Sequence, residues 1–278
     1  MGGVSALKSW AICWAGAAAL AAGVGLGAPG RAAAADALPP APALGKSLGP
    51  AKEFSDWYLR ADSGAAIALA PEPTIVAAAP HGGLASDLRV DWARLRDGAF
   101  YGIGLGYRVN DFVRLDASAE HRLPVRYAAR TSQTCAGARC VEETSARVQS
   151  GVFLANAYFE AITWHGLTPF VGAGVGLARN ESARVNVAPA QGAGAGSGAG
   201  EGDARWAFAW ALMAGVAYEP AQGVHVEMGY RYLDAGRVGL GRVSCATGCA
   251  GAAQRLSLGA HDVRLGLRFA FAERIAAR

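Results

Sequence analysis

The sequence predicts an all-β fold, an eight-stranded antiparallel up-and-down transmembrane β-barrel, and three observations support this prediction. The composition is 52% hydrophobic but only 17% charged, with 38 glycines and a mean hydropathy of +0.19. Apolar and polar residues alternate with a period of two along eight segments, which is typical of strands with two different faces. The connections between the segments are alternately long and short, as in membrane barrels with long external loops and short periplasmic turns.

The first 35 residues have the features of a signal peptide. Lys8 precedes the apolar run WAICWAGAAALAAGVGLGA, and small residues up to Ala35 provide a cleavage site. A membrane anchor is the alternative, because the run approaches the length of a membrane span. Residues 36–53 are rich in proline and alanine and predict a periplasmic linker. Residues 54–271 are predicted to form the barrel, and residues 272–278 a short C-terminal tail.

The segment YGIGLGYRVNDFVRLDASAEHR, residues 101–122, contains two of the strands and the turn between them. Large apolar residues from Tyr101 to Val109 alternate with glycines and one arginine. The dipeptide Asn-Asp then predicts a tight turn, and charged residues alternate with apolar ones as far as Arg122. The glycines resemble a phosphate-binding loop, but their period of two and the lack of a helix pattern after them predict a strand instead.

The remaining strands follow from the same alternation, and each has about the length that a tilted strand needs to cross a bilayer. The pattern is weakest in the fourth strand, where Val152 and Leu154 share a face with Asn156 and Glu160. The eight predicted strands are residues 56–67, 99–109, 112–122, 148–160, 169–179, 205–219, 224–233 and 261–271. The predicted long connections are residues 68–98, 123–147, 180–204 and 234–260, and the short ones are residues 110–111, 161–168 and 220–223.

Alternation alone does not show whether the apolar face lines a soluble core, as in a sandwich or lipocalin, or faces lipid. Lipid is favoured because aromatic residues of the apolar face gather near the strand ends, as in the two girdles of membrane barrels. In addition, all three lysines precede the predicted barrel, whereas a sheet with a solvent-facing surface would usually carry some. The predicted girdle at the turn end contains Trp57, Tyr107, Phe159, Tyr218, Phe269 and Phe271, and the girdle at the loop end contains Tyr101, Trp206, Phe208, Tyr230 and Tyr232.

The polar face is predicted to line the lumen, where arginine and carboxylate side chains would pair. Glycine and alanine between the charges leave room in a narrow interior. Pairing is expected because a buried charge without a partner is costly. The predicted lumen charges are Arg60, Asp62, Arg108, Arg114, Asp116, Glu120, Arg122, Glu160, Glu227, Arg231, Arg264 and Arg268.

Seven blocks of the sequence resemble the small outer-membrane β-barrel proteins of alphaproteobacteria, within the OmpA/OmpX-like and opacity-protein-like porin superfamily. In order over residues 54–271, the blocks are WYLRAD, GIGLGYRVNDFVRLDASAEHR, ANAYFE, TPFVGAGVGLA, FAWALMAGVAYE, MGYRYL and HDVRLGLRFAF. The resemblance implies an abundant envelope protein in the cell outer membrane of a Gram-negative bacterium, in contact with lipid and lipopolysaccharide. The last strand resembles the signal read by the barrel-assembly machinery, although AERIAAR follows Phe271 where the family usually ends.

Four cysteines lie in predicted external loops, on the oxidising side of an exported protein, where disulfides persist. Cys135 and Cys140 share the second long loop, and Cys245 and Cys249 share the fourth. We expect one disulfide within each loop, with bridges between the loops as the alternative. A zinc site fits less well, because the C-x4-C and C-x3-C spacings differ from the common C-x2-C. We therefore predict no metal and no cofactor.

The chemistry-bearing residues do not form a recognisable catalytic motif. The histidines are dispersed over loops, turns and both strand faces, and only His225 shares a strand face with a nearby acid, Glu227. No serine nucleophile is evident beside that pair, so we expect no enzymatic activity. The net charge is +4, and +2 without residues 1–35, which is too small and scattered for nucleic-acid binding. The five histidines are His81, His121, His165, His225 and His261.

The size of the barrel bears on transport, because the interior of an eight-stranded barrel is just wide enough for side chains. We therefore expect no general pore. The sequence predicts a non-enzymatic barrel that contributes to envelope integrity and contacts host or surface ligands through its external loops. The alternative is a barrel that binds or transports a small molecule or haem, with narrow conductance.

Overall fold

The computed structural model describes residues 54–77, 87–135, 137–192, 197–247 and 253–272, which form twelve β-strands and contain no helix. Among these residues no helix has the length and apolar character that crossing a membrane requires. The predicted signal peptide, the linker and residues 273–278 lie outside the described residues. The strands are β1 (Phe54–Ala68), β2 (Thr74–Ala77), β3 (Arg89–Leu95), β4 (Gly98–Arg108), β5 (Val113–Cys135), β6 (Ala138–Glu160), β7 (Leu167–Gln191), β8 (Ser197–Gly200), β9 (Asp203–Ala221), β10 (Val224–Gly239), β11 (Val243–Thr247) and β12 (Ala253–Ala272).

Eight long strands close into a ring. The strands β1, β4, β5, β6, β7, β9, β10 and β12 pair antiparallel in chain order, and β12 pairs back with β1 from Tyr58↔Ala270 to Ala68↔Ala260. Closure removes the free edges, so the strand backbones satisfy each other's hydrogen bonds without water. The predicted eight-stranded antiparallel barrel is confirmed.

The short connections lie at one end of the barrel and follow from local sequence. In the turn between β4 and β5, the Asn110 side-chain oxygen accepts hydrogen bonds from the backbone N–H groups of Phe112 and Val113, at 2.9 and 2.8 Å. An asparagine that bonds the backbone two or three residues later is typical of a tight turn. The connections at residues 161–166 and 222–223 lie at the same end, which we call the periplasmic end.

The predicted external loops are wrong over much of their length, because the barrel wall continues through them. The strands β5 and β6 run on as a hairpin to Cys135 and Ala138, and β7 extends to Gln191. Four short strands add to this external wall: β3 pairs with β5, β2 with β12, β8 with β7, and β11 with β8. The external part is therefore a sheet that rises from the barrel.

Bulges explain why the alternation did not reveal these extensions. In β5 the register shifts between Arg122 and Val125, and both Leu123 and Pro124 are exposed. Even-numbered residues point inward before the shift, whereas odd-numbered residues from Tyr127 onward point inward after it. A bulge inserts one extra residue and so reverses the parity of the strand. A similar shift occurs in β10 between Asp234 and Arg237, next to the predicted end of that strand.

Large apolar side chains cover the outside of the barrel. Ile103, Phe208, Met228 and Val171 are 56–63% exposed, and they belong to a belt contributed by all eight ring strands. An exposed apolar band of this extent is typical of a barrel surrounded by lipid. The soluble alternative, with its apolar face inward, does not fit this orientation.

Glycines on the inner wall make room for tyrosine rings. Gly106 lies directly opposite Tyr58 in the β1–β4 ladder, and Gly172 lies opposite Tyr158 in the β6–β7 ladder. A Cβ atom at Gly106 would overlap the Tyr58 ring, and one at Gly172 would lie 2.5 Å from a carbon of the Tyr158 ring. The glycines of GIGLGY therefore serve packing inside the barrel, and not phosphate binding.

We expect Gly106→Ala to lower the free energy of unfolding by about 1–3 kcal/mol, because it overpacks the buried Tyr58 ring. Urea unfolding in lipid vesicles measures this change. Gly151→Ala is the matched control, since its Cβ would make only an ordinary contact, 3.8 Å from a carbon of Phe153. Equal effects of the two substitutions would contradict this packing role.

Candidate functional site

Six arginines and six carboxylates fill the interior of the periplasmic half of the barrel. We call them the lumen charge network. All are buried except Arg122, whose side chain is 13% exposed. Because the two signs are equal in number, the network as a whole carries no net charge. Its members are Arg60, Arg114, Arg122, Arg231, Arg264, Arg268, Asp62, Asp116, Glu120, Glu160, Glu227 and Asp262.

One part of the network is centred on Arg231 of β10. Its two terminal nitrogens donate to the two oxygens of Glu120 on β5, both at 2.6 Å. Its Nε and Nη2 also donate to Asp262 of β12, at 2.9 and 2.7 Å. Arg122 binds the same carboxylate bidentately, at 2.8 and 3.0 Å. The pairs of Arg231 with Glu120 and of Arg122 with Asp262 join strands that are not neighbours in the ring, whereas Arg231 and Asp262 lie opposite each other on neighbouring strands.

The other part of the network begins at Arg60 of β1. Its Nε donates to Asp62 and its Nη1 to Asp116, both at 2.7 Å, and Nη1 also donates to the Tyr158 hydroxyl at 2.6 Å. Arg264 joins this part through Asp62, at 2.9 Å.

Arg114 and Arg268 share two glutamates nearer the periplasmic end. Arg114 donates to Glu160 at 2.7 Å and lies 3.2 Å from Glu227. Arg268 lies 3.2 Å from Glu160 and 3.0 Å from Glu227. The last pair is close enough for charge attraction but is not aligned for a hydrogen bond.

Aromatic rings cover the arginines. The Arg114 guanidinium lies 3.8 Å from the centroid of the Tyr158 ring and 5.8 Å from that of Tyr58. The Arg231 guanidinium lies 4.9 Å from the Phe100 ring. Guanidinium groups stack well on aromatic faces, so these rings take the place of water around the charges.

The structure brings eleven of the twelve sequence-predicted lumen charges into this network. The exception is Arg108, which is half-buried at the periplasmic end and lines a cavity of about 120 Å³ with Asp56, Glu219 and His225. Sequence reasoning missed Asp262, although it shares strand parity with Arg264 and Arg268. It also missed the polar tyrosines Tyr58 and Tyr158, which lie on the same inner face.

The external half of the interior is mainly apolar, with buried polar side chains such as Asn180 and Gln254 among the apolar ones, which the sequence analysis did not predict. Buried residues such as Tyr127, Val148, Leu233 and Leu256 pack into one cluster there. The Tyr127 hydroxyl donates to the Gln254 side-chain oxygen at 3.2 Å, and burial raises the pKa of this phenol. We call this cluster the apolar plug. It comprises Tyr127, Ala129, Ala146, Val148, Val152, Leu154, Ala178, Val185, Ala209, Ala211, Leu233, Ala235, Val238, Leu240, Leu256 and Leu258.

Two cavities inside the barrel are both small. A cavity of about 10 Å³ lies against Arg60, Asp62 and Arg264 within the network, which is about the volume one water molecule needs. A second cavity, of about 50 Å³, lies near Ala66 and Leu95 beside the apolar plug. The described interior is therefore packed with side chains.

The structure places the predicted girdle residues on the outside of the barrel. Ten of the eleven are 38–62% exposed, and Tyr232 is partly covered by Trp210 and His261. At the external end the Tyr230 hydroxyl lies 2.6 Å from Nδ1 of His261. Tyrosines with a wet hydroxyl and an apolar ring are typical of membrane interfaces.

The described histidines are not assembled into a catalytic group. His225 Nε2 lies 3.8 Å from Glu219, whereas its predicted partner Glu227 is bound by arginines. His121 packs on Tyr101, and His165 packs on Trp164 in a turn. His81 lies outside the described residues, among which no group of three potential metal ligands occurs.

The predicted disulfides remain predictions. Cys140 is fully buried in β6. The side chains of Cys135 and Cys245, and the whole of Cys249, lie outside the described residues. Cys135 and Cys140 belong to the strands of the external hairpin and not to a loop.

We expect Arg231→Met to lower the free energy of unfolding by about 3–5 kcal/mol, because it leaves Glu120 without its arginine. Adding Glu120→Leu should recover at least half of this loss, because it removes the unpaired carboxylate while Asp262 remains paired with Arg122. Unfolding titrations of both variants in vesicles measure these differences.

Arg179→Met provides the control, because Arg179 pairs with Glu181 at 3.0 Å on the exposed surface. Its effect should stay below about 1 kcal/mol. If Arg231→Met also lowered the free energy of unfolding by less than about 1 kcal/mol, this would contradict the importance of the network.

Comparisons with known proteins agree with this architecture. A family model described as "Outer membrane protein beta-barrel domain" matches residues 18–271. An uncharacterized protein of Brucella abortus (strain 2308) is 31% identical over 163 residues, which cover 55% of this chain and 57% of the relative. A protein of Brucella suis biovar 1 is 28% identical over 163 residues, which again cover 55% of this chain and 57% of the relative. The match thus spans little more than half the length of these curated relatives.

Two solved structures are similar in fold. Neisserial surface protein A is 18% identical with a TM-score of 0.41, covering 79% of this chain and 99% of that one. OprG from Pseudomonas aeruginosa is 12% identical with a TM-score of 0.48, covering 78% of this chain and 98% of OprG. Brucella is an alphaproteobacterium, so the resemblance seen in the sequence is confirmed. From the family match over most of its length, the chain belongs to the outer-membrane protein β-barrel domain family and lies in the outer membrane.

Proposed function

We propose that this barrel is a non-enzymatic structural protein of the outer membrane, which strengthens the envelope and presents its external sheet to surface ligands. The single observation that supports this proposal is the filled interior. The neutral lumen charge network occupies the periplasmic half, and the apolar plug occupies the external half. A barrel filled in this way has its working surfaces on the outside.

The network also suits a protein whose role is mechanical. Arg231 joins β10 to β5 and β12, and Arg60 joins β1 to β5 and β6. Both of these guanidinium groups are held by two or more partners, so moving one strand out of place would leave buried charges unpaired. Such cross-links across the lumen resist deformation of the wall.

The external sheet provides the surface for partners. From Arg126 to Cys135, β5 runs for about 30 Å beyond its bulge at the usual strand rise, and β3 and β6 flank it. A rigid sheet holds side chains in place at low entropic cost. Host or surface ligands are the proposed partners of this sheet. Insertion by the barrel-assembly machinery is proposed from the outward row of β12 that ends at Phe269 and Phe271.

Small-molecule or haem transport is less well supported. Pockets for such ligands usually measure about 300–1,000 Å³, whereas the cavity beside the apolar plug measures about 50 Å³. A cavity of about 960 Å³ does occur, but it is an open recess among external residues such as Glu201, Asp203 and Arg242. Transport would require the apolar plug to move aside and the network to open. Both changes would separate side chains that already have partners, so both are unfavourable.

We expect a strain that lacks the gene to become more sensitive to detergent while its uptake of small solutes stays normal. The measurement compares detergent sensitivity and solute uptake in the mutant and the complemented strain. A loss of uptake with an intact envelope would contradict the proposal and support the transport alternative.

We also expect the reconstituted barrel to show no stable single-channel current in a planar bilayer, because its interior is filled. A wide outer-membrane porin in the same bilayer is the control. Large, steady openings of the folded barrel would contradict a closed lumen.

A further inference from the structure

Three arginines stand side by side on the outer surface of β5, β6 and β7. Arg126 and Arg147 lie directly opposite each other in the β5–β6 ladder. Arg184 of β7 follows Ala183, which lies opposite Arg147. All three side chains are exposed. We call Arg126, Arg147 and Arg184 the outer arginine patch.

The outer arginine patch has no counter-charge within the described residues. None of its three guanidinium groups makes a side-chain hydrogen bond or ion pair there. The nearest carboxylates on the same strands are already engaged, since Glu181 binds Arg179 and Gln149, and Glu143 binds Arg130. Like charges directly opposite each other in a sheet are destabilising, so the patch favours an anion from outside the chain.

Neighbouring arginines of the same face are occupied differently. Arg94 and Arg130 each stack on the ring of Trp92, with a guanidinium-to-centroid distance of 5.7 Å. Arg130 also pairs with Glu143. The outer arginine patch differs from these arginines in carrying unmatched positive charge.

The backbone at Arg184 is strained in a way that glycine would relieve. Its φ of 51° lies in the left-handed region, which is unfavourable for a residue other than glycine. The bulge there turns both Ala183 and Arg184 outward while Val185 stays buried. Strained residues of this kind cluster at binding sites, so an arginine at this position points to a role for its side chain.

The outer arginine patch lies just outside the apolar belt. The last large apolar residues below it on the same strands are Leu123, Phe153 and Leu177, each more than 40% exposed. Arg126 follows Leu123 by three residues, or about 10 Å along the strand, whereas Arg147 and Arg184 lie six and seven residues beyond Phe153 and Leu177, or about 20 and 24 Å. We infer that the Arg126 guanidinium lies at the level of lipid headgroups with the other two beside it, and long arginine side chains can reach back toward the interface.

From this placement we infer that the outer arginine patch binds the phosphate groups of a phosphorylated glycolipid in the outer leaflet. Guanidinium groups pair bidentately with phosphate oxygens, and the acyl chains of the same lipid would cover the apolar belt below. The combination of a phosphate site with an adjoining apolar surface favours a lipid over a free anion. The inference deepens the proposed function, because it names the lipid through which the barrel would strengthen the envelope.

The test measures equilibrium binding of the purified full-length barrel in detergent micelles to diphosphoryl lipid A. We expect the triple variant Arg126→Gln, Arg147→Gln, Arg184→Gln to bind at least tenfold more weakly than the natural protein. Dephosphorylated lipid A should bind the natural protein at least tenfold more weakly than the diphosphoryl form. Inorganic phosphate at the same concentration should not compete.

The matched control removes three other exposed external arginines with the variant Arg139→Gln, Arg237→Gln, Arg242→Gln. It should bind as the natural protein does. An equal loss in this control would show a general charge effect and would overturn the inference. Unchanged binding by the triple patch variant, or competition by inorganic phosphate alone, would overturn it as well.

A second variant guards against misfolding of the triple variant. Arg184→Gly removes backbone strain, so it should raise the free energy of unfolding and still weaken lipid A binding severalfold. A stabilised variant with undiminished binding would count against the inference. These measurements use purified protein, so they can fail while the deletion strain still shows the envelope defect of the proposed function, and the reverse also holds.

Discussion

The pairing of buried arginines with buried carboxylates is the constraint on which the rest of the structure depends. An ion in a low-dielectric interior is tolerated only when its partners have good geometry, and Arg231 meets this condition with four hydrogen bonds to Glu120 and Asp262. Because Arg231 and those two partners come from three strands, the charges can be satisfied only when the ring is closed. The inner glycines then follow, since they admit the rings that cover the guanidinium groups.

The barrel reverses its polarity along its axis. Within the apolar belt the outside is apolar and the inside is charged, whereas above the belt the inside is mainly apolar and the outside carries arginines such as Arg126 and Arg147. Bulges in β5, β7 and β10 mark this change, because each shifts the strand parity by one residue. The sheet thus adapts one continuous wall to lipid on one side of the bulges and to water on the other.

How far the sequence predicts this molecule depends on where the strand parity is continuous. From Tyr101 to Arg122 the alternation is regular, so strands, turn and inward charges follow from the sequence. Beyond Arg122 the parity shifts at Leu123 and Pro124, and neither the extension of β5 nor the inward position of Tyr127 can be read from a fixed period. The patch formed by Arg126, Arg147 and Arg184 depends on the register of three strands, and register is a tertiary property.

The central claim is that the lumen arginines are sealed inside a closed barrel. Modification of the folded protein in lipid nanodiscs with phenylglyoxal, a water-borne reagent for guanidinium groups, tests this claim directly when the modified sites are located by mass spectrometry. If the lumen is closed, Arg60, Arg114 and Arg231 should stay unmodified while the exposed Arg139 and Arg237 react. Reaction of the lumen arginines at a comparable rate in the folded barrel would contradict it.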